Sequence, residues 1–227
     1  DPLADIPPLD TYVAETEADK VAALKLVADS VAQQRQSASW AVISNPSVVA
    51  VWVLALAVAA HFLYRDSSDW PTMLTTGTGV TMAALVAVRF FTSKYITLAE
   101  GVNWSFLDEA DAVVVSRWGD TVIGACVVSL VGGQGNRGQR RRKRGVVRAW
   151  TVGLKWRGKG IGMGLLEEAC KVVGGRGGDG IEFADEHANA VRVLHPFFNS
   201  PFDVRDERAR EALKVAVRST SAFGKKR

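Results

Sequence analysis

Two apolar runs, separated by six residues, most constrain what this chain can fold into. Val48 to Tyr64, VVAVWVLALAVAAHFLY, is 17 residues long, and His61 is its only acidic or basic side chain. Pro71 to Phe91, PTMLTTGTGVTMAALVAVRFF, is the second run, diluted by threonines and Arg89. A helix crosses a bilayer core with roughly 20 apolar residues, the lower limit lying near 17. Both runs reach that length if Arg89 extends to the interface and the threonines bond their own backbone or face a neighbour. RDSSDW between them is rich in turn formers, and Tyr64 and Trp70 stand where interfacial aromatics stand. The alternative is a buried helical hairpin of a soluble domain. A chain of 227 residues has little surface with which to cover two helices so apolar. The reading is therefore a transmembrane hairpin over 46–92, in contact with lipid. Lys20, Lys25 and Arg35 precede it and Arg89 and Lys94 close it, while the turn sets Arg65 against Asp66 and Asp69. Both ends are then expected to face the cytosol, with the turn on the far side.

The segments before and after it read as one α/β domain. DPLADIPPLDTYV is proline-rich and extended, and TEADKVAALKLVADSVAQQRQ follows with helical periodicity at Val21, Leu24, Ala28 and Val31. Thr16 and Asp19 have the spacing of a capping box. DAVVVSRWGDTVIGACVVSLVGG predicts two strands turning at Gly119 and Asp120. VVRAWTVGL is a third strand and IEFAD a fourth, separated by a helix over 161–173. HANAVRVLHPFF is expected as a short helix broken by Pro196, and DERAREALKVAVRST as a last amphipathic helix. The two cysteines, Cys126 and Cys170, lie far apart outside any CxxC or CxxH pattern, so neither a disulfide framework nor a zinc site is expected. Cys126 reads as a small core residue.

The third strand runs straight into LKWRGKGIGMG, eleven residues with four glycines, and then into the helix. The first amides of a helix have no internal partner and carry the positive end of its dipole, and glycines let the backbone approach an anion. There is no GxxxxGK[ST], so this is not a Walker loop. Gly158, Gly160, Gly162 and Gly164 give GxGxGxG, which puts Met163 where the last glycine of a dinucleotide fingerprint belongs. Two hairpin strands also precede it, which that fingerprint does not tolerate.

Val152, then Arg157-Gly158-Lys159-Gly160-Ile161-Gly162, resembles the acyl-CoA loop of the GNAT acetyltransferase superfamily, (Q/R)xxGx(G/A). The order of elements over about 95–202 is similar too: an antiparallel meander, the loop, a helix, a strand, and a segment with Asn189 where the family has an asparagine. The resemblance implies an α+β fold, a GNAT-like mixed, mostly antiparallel sheet flanked by helices. Residues 1–45 would be its first strand and helix, 46–92 the inserted apolar hairpin, and 93–227 the acyl-CoA-binding part with a C-terminal helix. It implies acetyl-CoA as cosubstrate, without a metal, and an amine acceptor, either a small molecule or conjugate or a protein lysine or N-terminus. The loop amides of Gly158, Lys159, Gly160, Ile161 and Gly162 would hold the pyrophosphate, helped by the charges of Arg157 and Lys159. Val152 and Leu154 on the strand end and Asn189 would meet the pantetheine arm. With the hairpin in this place, the chain resembles the membrane-anchored acetyltransferases of the endoplasmic reticulum that act on cysteine conjugates, which implies an internal membrane with the catalytic domain in the cytosol.

The family's usual glutamate on the third strand and its usual tyrosine are missing; Phe197 takes the tyrosine's place. Asp185, Glu186 and His187 remain as candidates for the base and His195 for the acid. Each also has a structural reading, Asp185 as a cap or turn residue and His195 as a surface or helix-terminal residue. The missing groups leave a second function open, a membrane-tethered adaptor that binds CoA or an anionic partner without turnover. Arg137, Arg140, Arg141, Arg142, Lys143, Arg144 and Arg148 carry the net charge of +4. They read as a solvated loop, as a contact for anionic lipid headgroups, or as a contact for RNA or an acidic protein; no aromatics are interleaved for base stacking. The two closing strands usual in the family are replaced by a charged helix, so a homo-oligomer that exchanges elements is one way to complete the acceptor groove.

Overall fold

The computed structural model describes residues 7–132, 143–220 and 223. Among them are five strands and six helices, β1 (Leu9–Val13), α1 (Glu17–Ile43), α2 (Pro46–Leu63), α3 (Trp70–Phe91), α4 (Lys94–Glu100), β2 (Ala112–Trp118), β3 (Thr121–Gly132), β4 (Lys143–Val152), α5 (Ile161–Gly175), β5 (Gly178–Phe183) and α6 (Ser200–Thr220). The strands form one sheet in chain order. Every neighbouring pair is antiparallel except β4 and β5, which run parallel. This is the expected α+β architecture.

Strand periodicity divides the sheet into two faces. Val113, Val115, Ala125 and Val127 meet Ala23 and Val27 of α1. Val114, Ile123, Cys126 and Val128 meet Leu165, Leu166, Ala169, Cys170 and Val173 of α5, and α6 closes that side with Leu213 and Ala216. β3 breaks the rule once, where Ile123 is an extra residue opposite Ser116 and Arg117 and joins the α5 face although Ala125 joins the α1 face, and β4 breaks it once. Val147 joins the α5 face and Ala149 the α1 face, although they are two residues apart. The cause is a β-bulge: Val127 opposes Ala149 and Val128 opposes Val147, so Arg148 is an extra residue.

α1 starts where Thr16 Oγ1 accepts the amide of Asp19 at 3.2 Å. Asp19 completes no capping box; its carboxylate takes the Tyr12 hydroxyl at 3.1 Å and Arg117 at 3.6 Å. Leu24 and Val31 are buried as expected, but Val21 is exposed. The stripe that packs inward is Ala23, Val27, Ser30, Gln34 and Ala38, and its two polar members obscure it in the sequence.

The hairpin stands away from the domain. Neither α2 nor α3 contributes one buried residue, and Val51, Leu54, Phe62, Leu74, Met82, Val86 and Phe90 lie exposed. The threonines behave as the sequence suggests. Thr75 donates to Pro71 O at 2.9 Å, and Thr81 donates to Gly77 O at 2.8 Å while accepting Trp52 Nε1 at 3.2 Å. The alternative of a hairpin packed on a soluble core is not what this chain adopts.

Two expected elements differ. Residues 187–194 form no helix, with a turn over 188–190 and irregular chain after it, and only Pro196–Phe198 winds into a short 3-10 turn. The amide of Ala188 is taken by Arg148 O at 2.8 Å, which commits the segment to the edge of β4 and away from a helix. The last helix begins at Ser200, well before Asp206, and its N-terminal turns pack by Phe202 against Tyr95, rings 6.3 Å apart and 16° from parallel.

Candidate functional site

The bulge at Arg148 builds the site. β5 pairs with β4 only over Lys143–Val147, so beyond the bulge the edge of β4 is open. Arg148 is anchored by Asp108 at 2.5 Å and Asp111 at 2.6 Å, and its guanidinium lies 4.9 Å from the Phe106 ring centroid. Successive residues of a strand aim their backbone groups at opposite edges. Gly153 N donates to Ile123 O of β3 at 2.8 Å, so Val152 and Trp150 aim theirs at the gap. Three carbonyls on this edge are met by groups outside β5: Arg148 O by the Ala188 amide, Trp150 O by Asn189 Nδ2 at 3.4 Å, and Val152 O by Arg157 Nε at 3.0 Å.

β4 then passes through a 3-10 turn, Leu154–Trp156, into the glycine loop. Gly158 has φ +77° and Gly160 φ +82°, a left-handed backbone that side chains disfavour. A Cβ at either would meet open space, so backbone shape and not crowding selects glycine there. Gly162 is different: its Cβ would lie 2.9 Å from Trp150 Cζ2. α5 has no side-chain cap, and the amides of Gly158 to Gly162 have no backbone partner among the described residues. Fifteen residues of helix aim their dipole at this cluster of donors, an arrangement chemically suited to an anion.

Behind the loop lies a cavity of about 300 Å³, at the small end of the range for ligand sites. Its walls come from α1 (Ser30), β4 (Trp150 to Val152), the loop (Arg157, Gly158, Gly162), β5 (Phe183), the segment after it (His187, Asn189) and α6 (Arg205, Asp206, Ala209). A long, thin, partly apolar ligand with an anionic end suits it: the strand edge offers amides along its length, and the loop offers charge at its end.

The structure brings Val152, Arg157, Gly158, Gly162, His187 and Asn189 to one cavity. Gly160 and the amide of Ile161 lie in the same loop, with the Ile161 side chain in the core. Lys159 rests its ammonium 4.7 Å over the Trp156 ring, and Leu154 points to solvent. Arg157 spends its Nε on Val152 O and approaches Gln33 Oε1 at 3.5 Å, so it braces the loop against β4 and α1. Asn189 bridges the gap, accepting from Gln34 Nε2 at 2.6 Å and Ser30 Oγ at 3.3 Å. His187 packs edge-on against Phe183, 5.3 Å between centroids, with Nδ1 buried and unpartnered. Burial pushes its pKa below the ordinary histidine value, so the imidazole is neutral at pH 7. Asp185 and Glu186 are exposed beside it. His195 is elsewhere: exposed, with Nδ1 accepting the Phe197 amide at 3.4 Å as the cap of the 3-10 turn. Arg137 to Arg142 lie outside the described residues; Lys143 and Arg144 open β4 at the end remote from the loop, and Arg144 pairs with Glu182 at 3.1 Å.

Ser30, Gln34, Trp150, Phe183, Arg205 and Asp206 join the site without having been singled out in the sequence. Ser30 and Gln34 carry a usable signal, two polar residues four apart inside an apolar helix stripe. Arg205 and Asp206 carry none, because only the docking of α6 brings them there.

The family model of the Acetyltransferase (GNAT) family matches residues 82–198. No curated protein registers a match. Among solved structures, the tetramutant of the BH1408 protein from Bacillus halodurans is 14% identical, with 90% of this chain and 92% of that one covered and a TM-score of 0.44. An aminoglycoside acetyltransferase from an uncultured soil metagenomic sample is 9% identical, with coverage of 90% and 88% and a TM-score of 0.39. An acetyltransferase of Trypanosoma brucei is 13% identical, with coverage of 86% and 91% and a TM-score of 0.38. The family assignment rests on the family model.

Proposed function

Because the chain belongs to the GNAT family of acetyltransferases, we propose that it transfers the acetyl group of acetyl-CoA to an amine, from a catalytic domain held on the cytosolic face of a membrane by the α2–α3 hairpin. The observation that carries the proposal is the opened edge of β4 ending in the glycine cradle. The Val152 and Trp150 amides aim into the gap, where a pantetheine arm would take the pairing that β5 gives up beyond Val147. The free amides of Gly158 to Gly162 would take the pyrophosphate, and at Gly158 and Gly160 no side chain lies within 4 Å of where a Cβ would stand.

Acetyl-CoA supplies an activated thioester. The chain's part is to hold the arm, to place amide donors where negative charge grows on the thioester oxygen, and to keep the acceptor nitrogen unprotonated. β4 carries no glutamate, and Phe197, in the tyrosine's expected place, lies exposed in the 3-10 turn. Proton handling therefore falls to other groups.

The membrane part is supported by the hairpin's own surface: helices of 18 and 22 residues, with no buried residue between them, leave more apolar area in water than a soluble monomer carries. Trp40, Phe90 and Phe91 are exposed at its base, and Tyr64 and Trp70 at its tip. The insertion between the first and second helices of the domain is what supports a place among the endoplasmic-reticulum or other internal-membrane acetyltransferases. Acetyl transfer to a panel of amines by the detergent-solubilised chain tests the proposal. Product that disappears in Gly160→Trp supports it, and CoA binding without transfer to any amine would leave the tethered adaptor instead.

A further inference from the structure

The cavity behind the glycine loop is not the only opening on His187. A groove of about 620 Å³ lies between α6 and the segment after β5, and His187 and Asp206 line both spaces. The histidine is the wall between them. Its Nδ1 is buried and meets no hydrogen-bond partner among the described residues beyond the backbone of His187 itself. This is unusual for a buried imidazole nitrogen, which ordinarily finds a partner.

We propose that His187 is the group that takes the proton of the acceptor, and that the acceptor is a cationic amine entering through the α6 groove. The inference rests on the acetyltransferase reading above. In the reaction, the ammonium gives one proton to the His187 imidazole and becomes a neutral amine. Its nitrogen forms the N–C bond to the thioester carbonyl. As the C–S bond breaks, the second nitrogen-bound proton leaves for the departing thiolate, directly or through water, giving CoA thiol and amide. His187 then returns its proton to solvent.

The charge of the groove selects a cation. Of the carboxylates lining the groove, Asp203 and Asp206 are paired with Arg192, at 3.1 and 2.5 Å, but Asp185, Glu207 and Glu211 form no ion pair among the described residues. Arg210 and Lys214 are interleaved with Glu207 and Glu211 on α6, and with Arg192 they make three cations against five carboxylates, which leaves the carboxylates in excess. The neutral form of His187 is kept by its burial against Phe183. The charged groups that act on it are Asp206, which favours its protonation, and Arg205 and Arg192, which oppose it. The groove exists because α6, where the family has strands, is pinned over the site by the Arg192 pairs and by Arg205 Nη2 donating to Asn189 O at 3.1 Å.

The test is steady-state kinetics of the full chain in detergent. The acceptors are a polyamine, a lysine peptide, a neutral aromatic amine and an acidic amino acid, each compared with His187→Gln and with the double variant Glu207→Gln/Glu211→Gln. The expected preference is for the cationic amines. His187→Gln is expected to lower kcat about 100-fold, to remove the acidic limb of the kcat/KM profile, and to leave the melting temperature at pH 8 in place. The double variant is expected to raise KM for the cations severalfold with kcat nearly unchanged, an effect that fades with added salt. Transfer at the wild-type rate by His187→Gln, or preferential transfer to the neutral or acidic amine, would overturn this inference while leaving the acetyltransferase reading intact. No transfer to any amine by the wild type would overturn both.

Discussion

Trp150 and Gly162 fit together without room for another atom. The indole Nε1 donates to Gly162 O at 3.0 Å, and the same ring would sit 2.9 Å from a Cβ on Gly162. This contact fixes the strand edge against the first turn of α5, so the two halves of the proposed CoA site hold one distance. Gly162→Ala is expected to push the indole aside and weaken CoA binding at least tenfold. Trp150→Phe keeps a ring but loses the hydrogen bond, at a cost of about 1 kcal/mol in stability. Calorimetric titration and thermal melts separate the two effects.

The bulge has its own keystone. Arg148 faces Asp111, whose side chain is 1% exposed. Arg148→Ala would leave that carboxylate buried beside an empty place, and the expected loss is about 3 kcal/mol or more. Denaturant unfolding measures it. Arg148→Lys should recover only part, because an ammonium cannot reproduce the fork that reaches both Asp108 and Asp111.

Asn189 ties three elements to one point. Its removal in Asn189→Ala orphans the Gln34 side chain, which is 2% exposed, and the expected cost is roughly 2 kcal/mol. The CoA affinity should fall with it, because the gap it spans is the one the arm would enter. Double-mutant analysis with Gln34→Ala is expected to show the two losses to be non-additive.

These residues also mark how far the sequence could be read. The α+β order, the strand turn at Gly119 and the glycine loop were legible because each is local: a period of two, a turn formed by one glycine, and an unsatisfied helix start. The apolar hairpin was legible from composition alone. What escaped was non-local. The bulge at Arg148 depends on Asp108 and Asp111, some forty residues earlier in the chain, and no pattern in VVRAWTVGL marks it. Residues 187–194 have a helix-like sequence, yet the Arg148 carbonyl claims the Ala188 amide. His195 looked like an acid from its neighbours and is a turn cap in the fold, while His187, its equal in the sequence, is placed in the cavity by Phe183.

Protonation of His187 should be visible in stability as well as in rate. Its folded pKa lies below the ordinary 6.5 because burial disfavours the charged form. The unfolded chain therefore binds the proton first, so stability is full above about pH 6.5 and falls as pH drops below it. Thermal melts from pH 8 to pH 5 are expected to show that fall in the wild type and a smaller one in His187→Gln.

The two thiols should be silent. Cys126 and Cys170 are both fully buried, and burial pushes both pKa values up. Neither is expected to react with a thiol reagent in the native protein at pH 8, and both should react once it is denatured.

The central claim is that the glycine cradle at the open edge of β4 holds CoA. Isothermal titration of acetyl-CoA into the full chain in detergent measures it directly, beside Gly160→Trp and with thermal melts of both proteins as the folding control. The account predicts saturable binding at one site per chain, lost in the variant while its melt shows that it is folded. A wild-type protein that is folded and takes up no CoA, or a folded Gly160→Trp that binds as well as the wild type, would contradict it.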